Sequence, residues 1–342
     1  MLNGRSKYIG AAVTVVLLGL IAWKIDLHEF AIALAGANYA WILPAVATTS
    51  LSYVLRTVRW GRILRPIRLL PFRVLFPVLT IGFMTNNLLP ARMGELIRAF
   101  LLSRRTSIGG TVGLATILIE RVFDGLTLIA VLGAVALTFP LPEGVRTAGL
   151  IASCIFVGMA VISLIVLASE RRAVHVINAA MRPLPMAIQR KFEGKAESFL
   201  IGLGVLRRGH DVFAMVGWSL VIWSIELTTY LLVLRGVHPI LTSGTPLLAA
   251  LLLMVSVNLG TLIPSTPGYI GVFQFFGVLA LRAFGVSDES ALAVATLAHL
   301  VQWLPVTALG LTFAAREGVR LQSLRSLAVD LNPALELARA KE

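Results

Sequence analysis

The chain has 342 residues, of which 57% are hydrophobic and 14% are charged. A typical soluble domain carries about 25% charged residues. Lysine and arginine together number 30 against 17 acidic residues, which gives a formal net charge of +13. This composition argues against a soluble nucleic-acid-binding domain, whose basic residues lie on an otherwise polar surface. It indicates an integral membrane protein whose positive charge lies in the loops that flank the bilayer.

Six apolar stretches are long enough to cross about 30 Å of hydrocarbon as helices. The first follows two basic residues, as in a secretory signal peptide, but no small-residue cleavage site comes after it, so we predict an uncleaved span. In chain order the six stretches cover residues 8–23, 39–55, 108–139, 149–168, 212–234 and 290–315.

Two further apolar stretches, residues 74–89 and 246–284, are interrupted by proline and glycine. Short interrupted segments of this kind favour re-entrant half-helices, which enter the bilayer partway and return. The alternative is a pair of ordinary proline-kinked spans. The residues expected to break the helices are Pro90, Gly94, Pro264, Pro267 and Gly268.

The distribution of basic residues predicts the topology. With the N-terminus inside, 25 of the 30 lysines and arginines fall in inner segments and four fall outside, with Arg121 left within a span. The sequence therefore predicts a multi-pass protein of a bacterial-type cytoplasmic membrane with both termini in the cytoplasm.

The two interrupted stretches resemble each other in sequence. Residues 87–94 align with 261–268 at an offset of 174, and the same offset carries 39–55 onto 213–229. Because the predicted topology runs the two units in opposite directions, the alignment predicts an inverted repeat, as in many transporters. The predicted organisation is one membrane domain over 1–320, with repeats of about 39–139 and 212–315, an amphipathic cytoplasmic connector of about 169–211 and a cytoplasmic tail of 321–342.

Ionisable side chains within apolar spans are the strongest functional candidates, because each is costly unless it is paired or hydrated. Glu120 and Asp124 are four residues apart and share a helix face, with Arg121 beside them. They form either a structural ion pair near the inner edge of the bilayer or part of a functional site. Glu226 is isolated in its span, so we expect it to face a polar cavity or a partner such as an arginine of the first broken segment.

Two other groups of polar residues are candidates for a path through the membrane. His299 and Gln302 face the same way, although a single histidine in a core is more often only hydrogen-bonded. A helix starting near Met93 would turn its first amides toward the break and favour an anion, and Arg92 would add a bidentate donor for phosphate. The alternative is that the arginines here only set the orientation of the protein in the membrane, as basic residues of inner loops do. Together the candidate path residues are Asn87, Arg92, Glu95, Arg98, Glu120, Arg121, Asp124, Glu226, His299 and Gln302.

The remaining site residues are few. Arg56 and Arg59, next to Trp60, form a basic cluster expected at headgroup level, where a structural and a functional interpretation have equal support. The only cysteine, Cys154, lies in an apolar run, and we interpret it as a small buried hydrophobic residue. No Gly-rich nucleotide loop, metal-ligand spacing or Ser/His/Asp arrangement occurs, so we expect no catalytic residue, no metal and no cofactor.

Four motifs carry a resemblance to a known family. The sequence reads Arg-Thr-Val-Arg-Trp at 56–60, Asn-Leu-Leu-Pro-Ala-Arg-Met-Gly-Glu-Leu-Ile-Arg at 87–98, Glu-Arg-Val-Phe-Asp at 120–124 and Pro-Ser-Thr-Pro-Gly-Tyr-Ile-Gly at 264–271. In this order they resemble the lysylphosphatidylglycerol synthase transmembrane family, also called the flippase-like membrane domain. The resemblance implies that the membrane domain moves a lipid between leaflets, while a separate soluble domain, where present, attaches lysine from lysyl-tRNA.

The sequence departs from that family in two respects. It reaches Glu342 without the soluble aminoacyl-transfer domain, so we expect a stand-alone membrane domain that performs no lysyl transfer alone. The second broken segment of the family often continues Gly-Gly-x-Gly and then an acid, whereas here Gly271 is followed by Gln274 as the next polar residue. We therefore expect a headgroup preference that differs from the lysine-modified lipid.

The expected fold is an all-α integral membrane protein with six full transmembrane helices and two re-entrant helical hairpins in inverted-topology repeats. The expected function is translocation of a lipid, which is a phospholipid, an aminoacyl-lipid, a hopanoid or a polyprenyl glycolipid. The alternatives are a membrane-embedded lipid-headgroup transferase and a scaffold of a lipid-synthesis complex. The expected partners are membrane lipids, chiefly anionic ones, with a lipid-synthesis enzyme as a further candidate and no nucleic acid; the oligomeric state is left open.

Overall fold

The computed structural model describes residues 12–17, 19, 25–89, 92–168, 195–204, 209–237, 245–263 and 266–318. Within these ranges the regular secondary structure is helical and includes no β-strand, which agrees with the predicted all-α class. Most of the predicted first span, much of the connector and the whole predicted tail lie outside the described residues, as do Pro90 and Pro264.

Five of the six predicted spans coincide with helices in the described part of the chain. The helix predicted over 39–55 ends nine residues later, the one predicted over 149–168 begins six residues earlier, and the other ends lie within three residues of the expected ones. The first half of the chain contains α1 (Leu27–Ala35), α2 (Ile42–Leu64), α3 (Phe72–Leu88), α4 (Gly94–Arg105), α5 (Gly110–Thr138) and α6 (Glu143–Ala168). The second half contains α7 (Lys195–Leu203), α8 (Gly209–Val237), α9 (Pro246–Gly260), α10 (Val272–Arg282) and α11 (Asp288–Arg316). Short 3-10 turns lie at Tyr39–Trp41 and Pro267–Tyr269.

Several of these helices have the length and hydropathy of membrane spans. In the described part of the chain three helices qualify, over Glu143–Ser163, Asp211–Val237 and Asp288–Arg316. A fourth span results if Leu27–Ala35 and Tyr39–Leu64, which meet at an angle of 66°, are counted as one broken span. The helix Pro246–Gly260 is apolar but shorter.

The outer surface of α6 is apolar. Leu150, Ile151 and Ile165 are 60%, 57% and 64% exposed on it. Cys154 lies on the same helix and is exposed as well, so the interpretation of Cys154 as a buried residue was wrong. The physical reason is that lipid tails are as apolar as a protein core. An apolar run in a membrane protein therefore does not distinguish an inward-facing residue from one that faces lipid.

Two pairs of helices that are distant in sequence form the interior. Helix α2 packs along α8, and α3 packs along α11. Helix α5 lies against α4, α7 and α9. This packing brings the polar positions of α2, α5 and α8 into the centre of the bundle.

A break follows the first interrupted stretch, and another lies within the second, close to the residues predicted to break the helices. Helix α3 ends at Leu88 and α4 begins at Gly94, close to the helix start predicted near Met93. The N–H of Gly94 donates to Oδ1 of Asn86 at 2.7 Å, which occupies the first amide of α4. A Cβ atom at Gly94 would collide with the carbonyl oxygen of Gly82. Glycine at residue 94 therefore allows α3 and α4 to approach each other closely.

The second break lies against the end of α3. Gly268 has a φ of +74°, in the left-handed region that favours glycine. A Cβ atom at Gly268 would lie 2.9 Å from Nε1 of Trp303 and 3.1 Å from the carbonyl oxygen of Asn87. The two broken segments, which are about 174 residues apart in the sequence, therefore meet in the fold.

We predict that Gly94→Ala destabilises the protein, because the added methyl group must separate α3 from α4. Overpacking of this kind costs about 1–3 kcal/mol. The matched control is Gly133→Ala on α5, where no atom lies within 4 Å of the added Cβ. Thermal unfolding of the detergent-purified variants should show a lower midpoint for Gly94→Ala and no loss for Gly133→Ala. Equal midpoints would show that α3 and α4 do not depend on this contact.

Candidate functional site

Six charged side chains lie together inside the bundle. Each is between 1% and 9% exposed, so the group is almost completely shielded from solvent. Three are guanidinium groups and three are carboxylates, so their formal charges cancel. They are Arg56, Arg59, Arg98, Glu120, Asp124 and Glu226, and we call them the buried ion cluster.

Asp124 is the centre of the buried ion cluster. Its Oδ1 accepts from Nη1 of Arg59 at 2.6 Å, and its Oδ2 accepts from Nη1 of Arg56 at 3.2 Å. Arg56 then reaches Oε1 of Glu226 through Nη2 at 3.3 Å. Because Arg56 and Arg59 are three residues apart on α2, one helix face supplies both donors. The cluster thus connects α2, α5 and α8.

Glu120 connects the cluster to α4. Its Oε2 lies 2.7 Å from Nη2 of Arg98, and its Oε1 lies 3.7 Å from Nη2 of Arg59. The guanidinium of Arg98 also lies 3.7 Å from the ring centre of Trp60, which is a cation–π contact. Glu120 and Asp124 share one face of α5, as their spacing predicts. Each of the two acids therefore binds arginines from other helices.

The structure corrects two expectations about these residues. Arg56 and Arg59, expected at headgroup level, are 7% and 1% exposed and lie inside the bundle. Helix α2 accordingly continues to Leu64, beyond the end predicted at residue 55, since paired charges do not end a helix. Glu226 has a partner, as expected, but that partner is Arg56 of α2 and not an arginine of the first broken segment. Its Oε1 also accepts from Oγ of Ser52 at 2.7 Å.

A polar cavity of about 150 Å³ lies beside the buried ion cluster. Arg56 and Glu226 belong to both, so the cluster forms part of the cavity wall. The cavity lies where the two broken segments meet, and residues of α2, α3, α4, α5, α8, α9, α10 and α11 line it. Its lining consists of Tyr53, Arg56, Phe83, Asn86, Asn87, Arg92, Glu95, Arg121, Trp223, Glu226, Asn258, Thr261, Tyr269, Phe273, His299, Gln302 and Trp303.

Arg92 joins the first break to the second. Its Nη2 donates to the carbonyl oxygen of Thr261 at 2.7 Å and to Oγ1 of Thr261 at 3.1 Å. Its guanidinium also lies 5.6 Å from the ring centre of Tyr269. Within the described part of the chain no carboxylate pairs with Arg92. The acceptors of its guanidinium are therefore neutral oxygens, which stabilise the positive charge without neutralising it.

His299 fixes the shape of the second break. Its Nε2 lies 2.7 Å from the carbonyl oxygen of Gly268, which can only accept, so Nε2 carries the proton. Its Nδ1 then accepts from Nε2 of Gln274 at 3.1 Å, while Oε1 of Gln274 accepts from the N–H of Gly271 at 2.9 Å. Both ring nitrogens are thus in use. His299 contributes only its ring face and edge to the cavity, and its hydrogen bonds support the backbone.

The cavity and the cluster together contain all ten predicted path residues. Arg98, Glu120 and Asp124 lie in the buried ion cluster behind the cavity wall. The seven that line the cavity are Asn87, Arg92, Glu95, Arg121, Glu226, His299 and Gln302.

Other residues that line the cavity were not predicted from the sequence. Asn258 is an amide within an apolar helix, which is a signal that a search for uncharged polar residues in spans would have found. Tyr53 and Trp223 carry no such signal, because aromatic residues are frequent in membrane helices. Only the packing of α2 along α8 identifies them.

We predict that Asp124→Asn strongly destabilises the protein, because it leaves Arg56 and Arg59 buried without their shared carboxylate. Removal of one partner from a buried pair costs about 3–5 kcal/mol. The control is Asp288→Asn, which breaks the exposed pair with Arg282 and should cost at most about 1 kcal/mol. Thermal unfolding in detergent measures both effects. A small loss for Asp124→Asn, equal to that of the control, would mean that the cluster does not stabilise the bundle.

Comparisons with known proteins agree with this architecture. The chain is 29% identical over 329 residues to the protein named glycosyltransferase AglD of Haloferax volcanii, a match that covers 86% of this chain and 51% of AglD. It therefore spans about half the length of that relative. Two UPF0104 membrane proteins of Methanothermobacter thermautotrophicus are 24% and 27% identical, with 89% and 95% of this chain and 94% and 97% of those proteins covered.

No solved structure matches the chain. The family described as the lysylphosphatidylglycerol synthase TM region matches residues 8–310, which include both breaks, the buried ion cluster and every residue that lines the cavity. The chain therefore belongs to the lysylphosphatidylglycerol synthase transmembrane family of multi-pass integral membrane proteins.

Proposed function

We propose that this protein translocates a lipid between the two leaflets of the cytoplasmic membrane. The observation that supports the proposal most is the polar cavity at the meeting point of the two broken segments. A headgroup in the hydrocarbon layer is costly unless polar protein groups replace its hydration. This cavity offers such groups, while the acyl chains of the lipid remain outside in the bilayer.

The buried ion cluster lowers the free-energy cost of placing a polar cavity inside an apolar bundle. Arg56 and Glu226 face the cavity and are also held by Asp124 and Ser52 behind them. Because the cluster is charge-balanced, Arg56 and Glu226 add no uncompensated charge to the cavity wall. The proposed path therefore has a fixed side, formed by the cluster. Its other side contains the two breaks.

Movement between leaflets requires access from both sides, which inverted repeats provide in other transporters. Two observations support such repeats here. The order of helices in α2 to α5 recurs in α8 to α11, with the break after the second helix each time. In addition, Ser52 hydrogen-bonds Glu226 across a separation of 174 residues, which is the offset of the sequence alignment. Contact between equivalent positions is expected where a pseudo-two-fold axis passes between repeats.

The proposal includes a topology. Six full crossings, two re-entrant hairpins and two cytoplasmic termini agree with the charge distribution of the sequence. In this arrangement the path residues of the first break are reached from the cytoplasmic side. Those of the second break are reached from the opposite side.

We predict that Arg92→Ala and Glu226→Gln each slow lipid translocation about tenfold or more, the effect expected for loss of a charge-assisted hydrogen bond. Purified protein is reconstituted into vesicles with a fluorescent phospholipid, and a membrane-impermeant quencher follows its exchange between leaflets. Glu226→Gln retains a group that can accept from Ser52, so it should fold. The control is Arg146→Ala, which removes an exposed arginine on α6.

Two results would contradict the proposal. Parent vesicles that exchange lipid no faster than protein-free vesicles would exclude translocation under these conditions. If both variants are folded by size-exclusion chromatography and exchange lipid as fast as the parent, the assignment of Arg92 and Glu226 to the path is wrong.

A second candidate function follows from the similarity to AglD, which is named a glycosyltransferase. The chain would then act on a lipid headgroup as a membrane-embedded transferase. Incubation of the purified chain with membrane lipids and candidate sugar donors, followed by mass spectrometry of the lipids, tests this. A modified lipid that forms only with active protein would favour the transferase over the transporter.

A further inference from the structure

The predicted first span contacts the second break, although neither predicted repeat includes this span. Residues 12–17 of the span are helical, and Thr14 is their most deeply buried side chain. Thr14 is 7% exposed, whereas its neighbours Val15 and Val16 are 69% and 58% exposed. The one polar residue of this helical segment is therefore directed at the interior of the protein.

The hydroxyl group of Thr14 binds the turn of the second break on both sides. Its Oγ1 lies 3.0 Å from Oγ1 of Thr266 and 3.3 Å from the amide nitrogen of Thr266, where the turn begins. It also lies 3.3 Å from the carbonyl oxygen of Ile270, where the turn ends. The partners are 252 and 256 residues apart in the sequence, so one side chain joins the first span to a distant part of the fold.

These three contacts use the whole hydrogen-bonding capacity of the hydroxyl group, which has one proton to donate and two lone pairs that accept. The carbonyl oxygen of Ile270 can only accept, so it takes the proton of Thr14. The lone pairs of Thr14 then accept from the hydroxyl and the N–H of Thr266. Thr80 of α3 is equally buried but donates to carbonyl oxygens of its own helix. Thr14 thus acts between elements, whereas Thr80 acts within one.

The turn that Thr14 binds has an unusual backbone. Gly268 and Gly271 have φ angles of +74° and +86°, and Tyr269 between them has a φ of +61° although it is not glycine. A left-handed conformation is unfavourable for a bulky residue, and it persists where the surrounding contacts fix it. Hydrogen bonds to the chain before and after Tyr269 are a restraint of this kind.

The orientation of Tyr269 affects the cavity. Its side chain lines the cavity, and its ring centre lies 5.6 Å from the guanidinium of Arg92, the residue that joins the two breaks. His299 of α11 binds the carbonyl oxygen of Gly268 in the same turn. The turn is therefore held by α11 and by the first span together.

We propose that Thr14 is a positioning residue of the second break, through which the first span sets the place of the Tyr269 ring in the cavity wall. Thr14 lies outside the cavity lining and acts through the turn. The inference deepens the proposed function, and it rests on that function only where lipid translocation is the quantity measured.

Hydrogen–deuterium exchange of the detergent-purified protein tests the contact without reference to transport. Thr14→Val keeps the shape of the side chain and removes its hydroxyl group. We expect amide exchange in residues 266–271 to become at least about fivefold faster, the factor for loss of one neutral hydrogen bond. Thr14→Ser retains the hydroxyl group and should exchange like the parent. The matched control is Thr80→Val, which should leave exchange in residues 266–271 unchanged.

A double-mutant cycle tests whether Thr14 acts through Tyr269. In the vesicle assay Thr14→Val should slow lipid translocation at least about fivefold, whereas Thr14→Ser should keep the parent rate. Once Tyr269→Leu has removed the ring, Thr14→Val should cause little further loss, because two residues that act through one contact are not additive. A full fivefold loss in the Tyr269→Leu protein would show that Thr14 acts elsewhere and would overturn the inference.

The remaining outcomes separate this inference from the proposed function. Unchanged exchange of residues 266–271 in Thr14→Val overturns the inference, and so does faster exchange throughout the protein, which indicates a general loss of stability. Faster exchange of the turn with translocation at the parent rate overturns it as well. If the parent translocates no lipid, the proposed function fails, while faster exchange confined to the turn still supports Thr14 as its positioning residue.

Discussion

Three guanidinium groups and three carboxylates in an apolar bundle form the constraint on which the remaining structure depends. None of the six is stable there alone, because a buried charge without a partner costs far more than a lost hydrogen bond. Asp124 binds Arg56 and Arg59 of α2, Glu226 of α8 binds Arg56, and Glu120 binds Arg98 of α4. The helices that contribute these residues must therefore pack together in one arrangement. The packing of α2 along α8 and the position of α5 both follow from this requirement.

The cluster and the cavity differ in how their charges are paired. Within the cluster, carboxylates and guanidinium groups lie within pairing distance of each other, so the formal charges of this side of the site cancel. In the cavity, several donors and one carboxylate oxygen have no partner in the described part of the chain. Arg56 and Glu226 lie on the boundary between the two. A charge-balanced support behind the cavity wall is the arrangement expected of a binding site whose geometry is set before the ligand arrives.

Much of this architecture is predictable from the sequence, and the errors have physical causes. Hydropathy and the positions of proline and glycine predicted the helices and both breaks, since backbone hydrogen bonding in a membrane depends strongly on local sequence. The end of α2 was misplaced because a hydropathy scan treats Arg56 and Arg59 as water-exposed, whereas their carboxylate partners lie 65 to 170 residues away. The predicted partner of Glu226 was wrong for the same reason, since the sequence does not show which helices pack together. Cys154 was misassigned because lipid and protein interior have the same polarity.

The two breaks are stabilised by different chemistry. Around the second break, uncharged groups of His299 and Gln274 hold the backbone. The first break is tied to it by the charged side chain of Arg92, which donates to Thr261. Only Nη2 of Arg92 donates to Thr261, although a guanidinium group has five N–H donors. Arg92 therefore connects the two halves of the molecule, and the position of its guanidinium in the cavity wall depends on the backbone at Thr261.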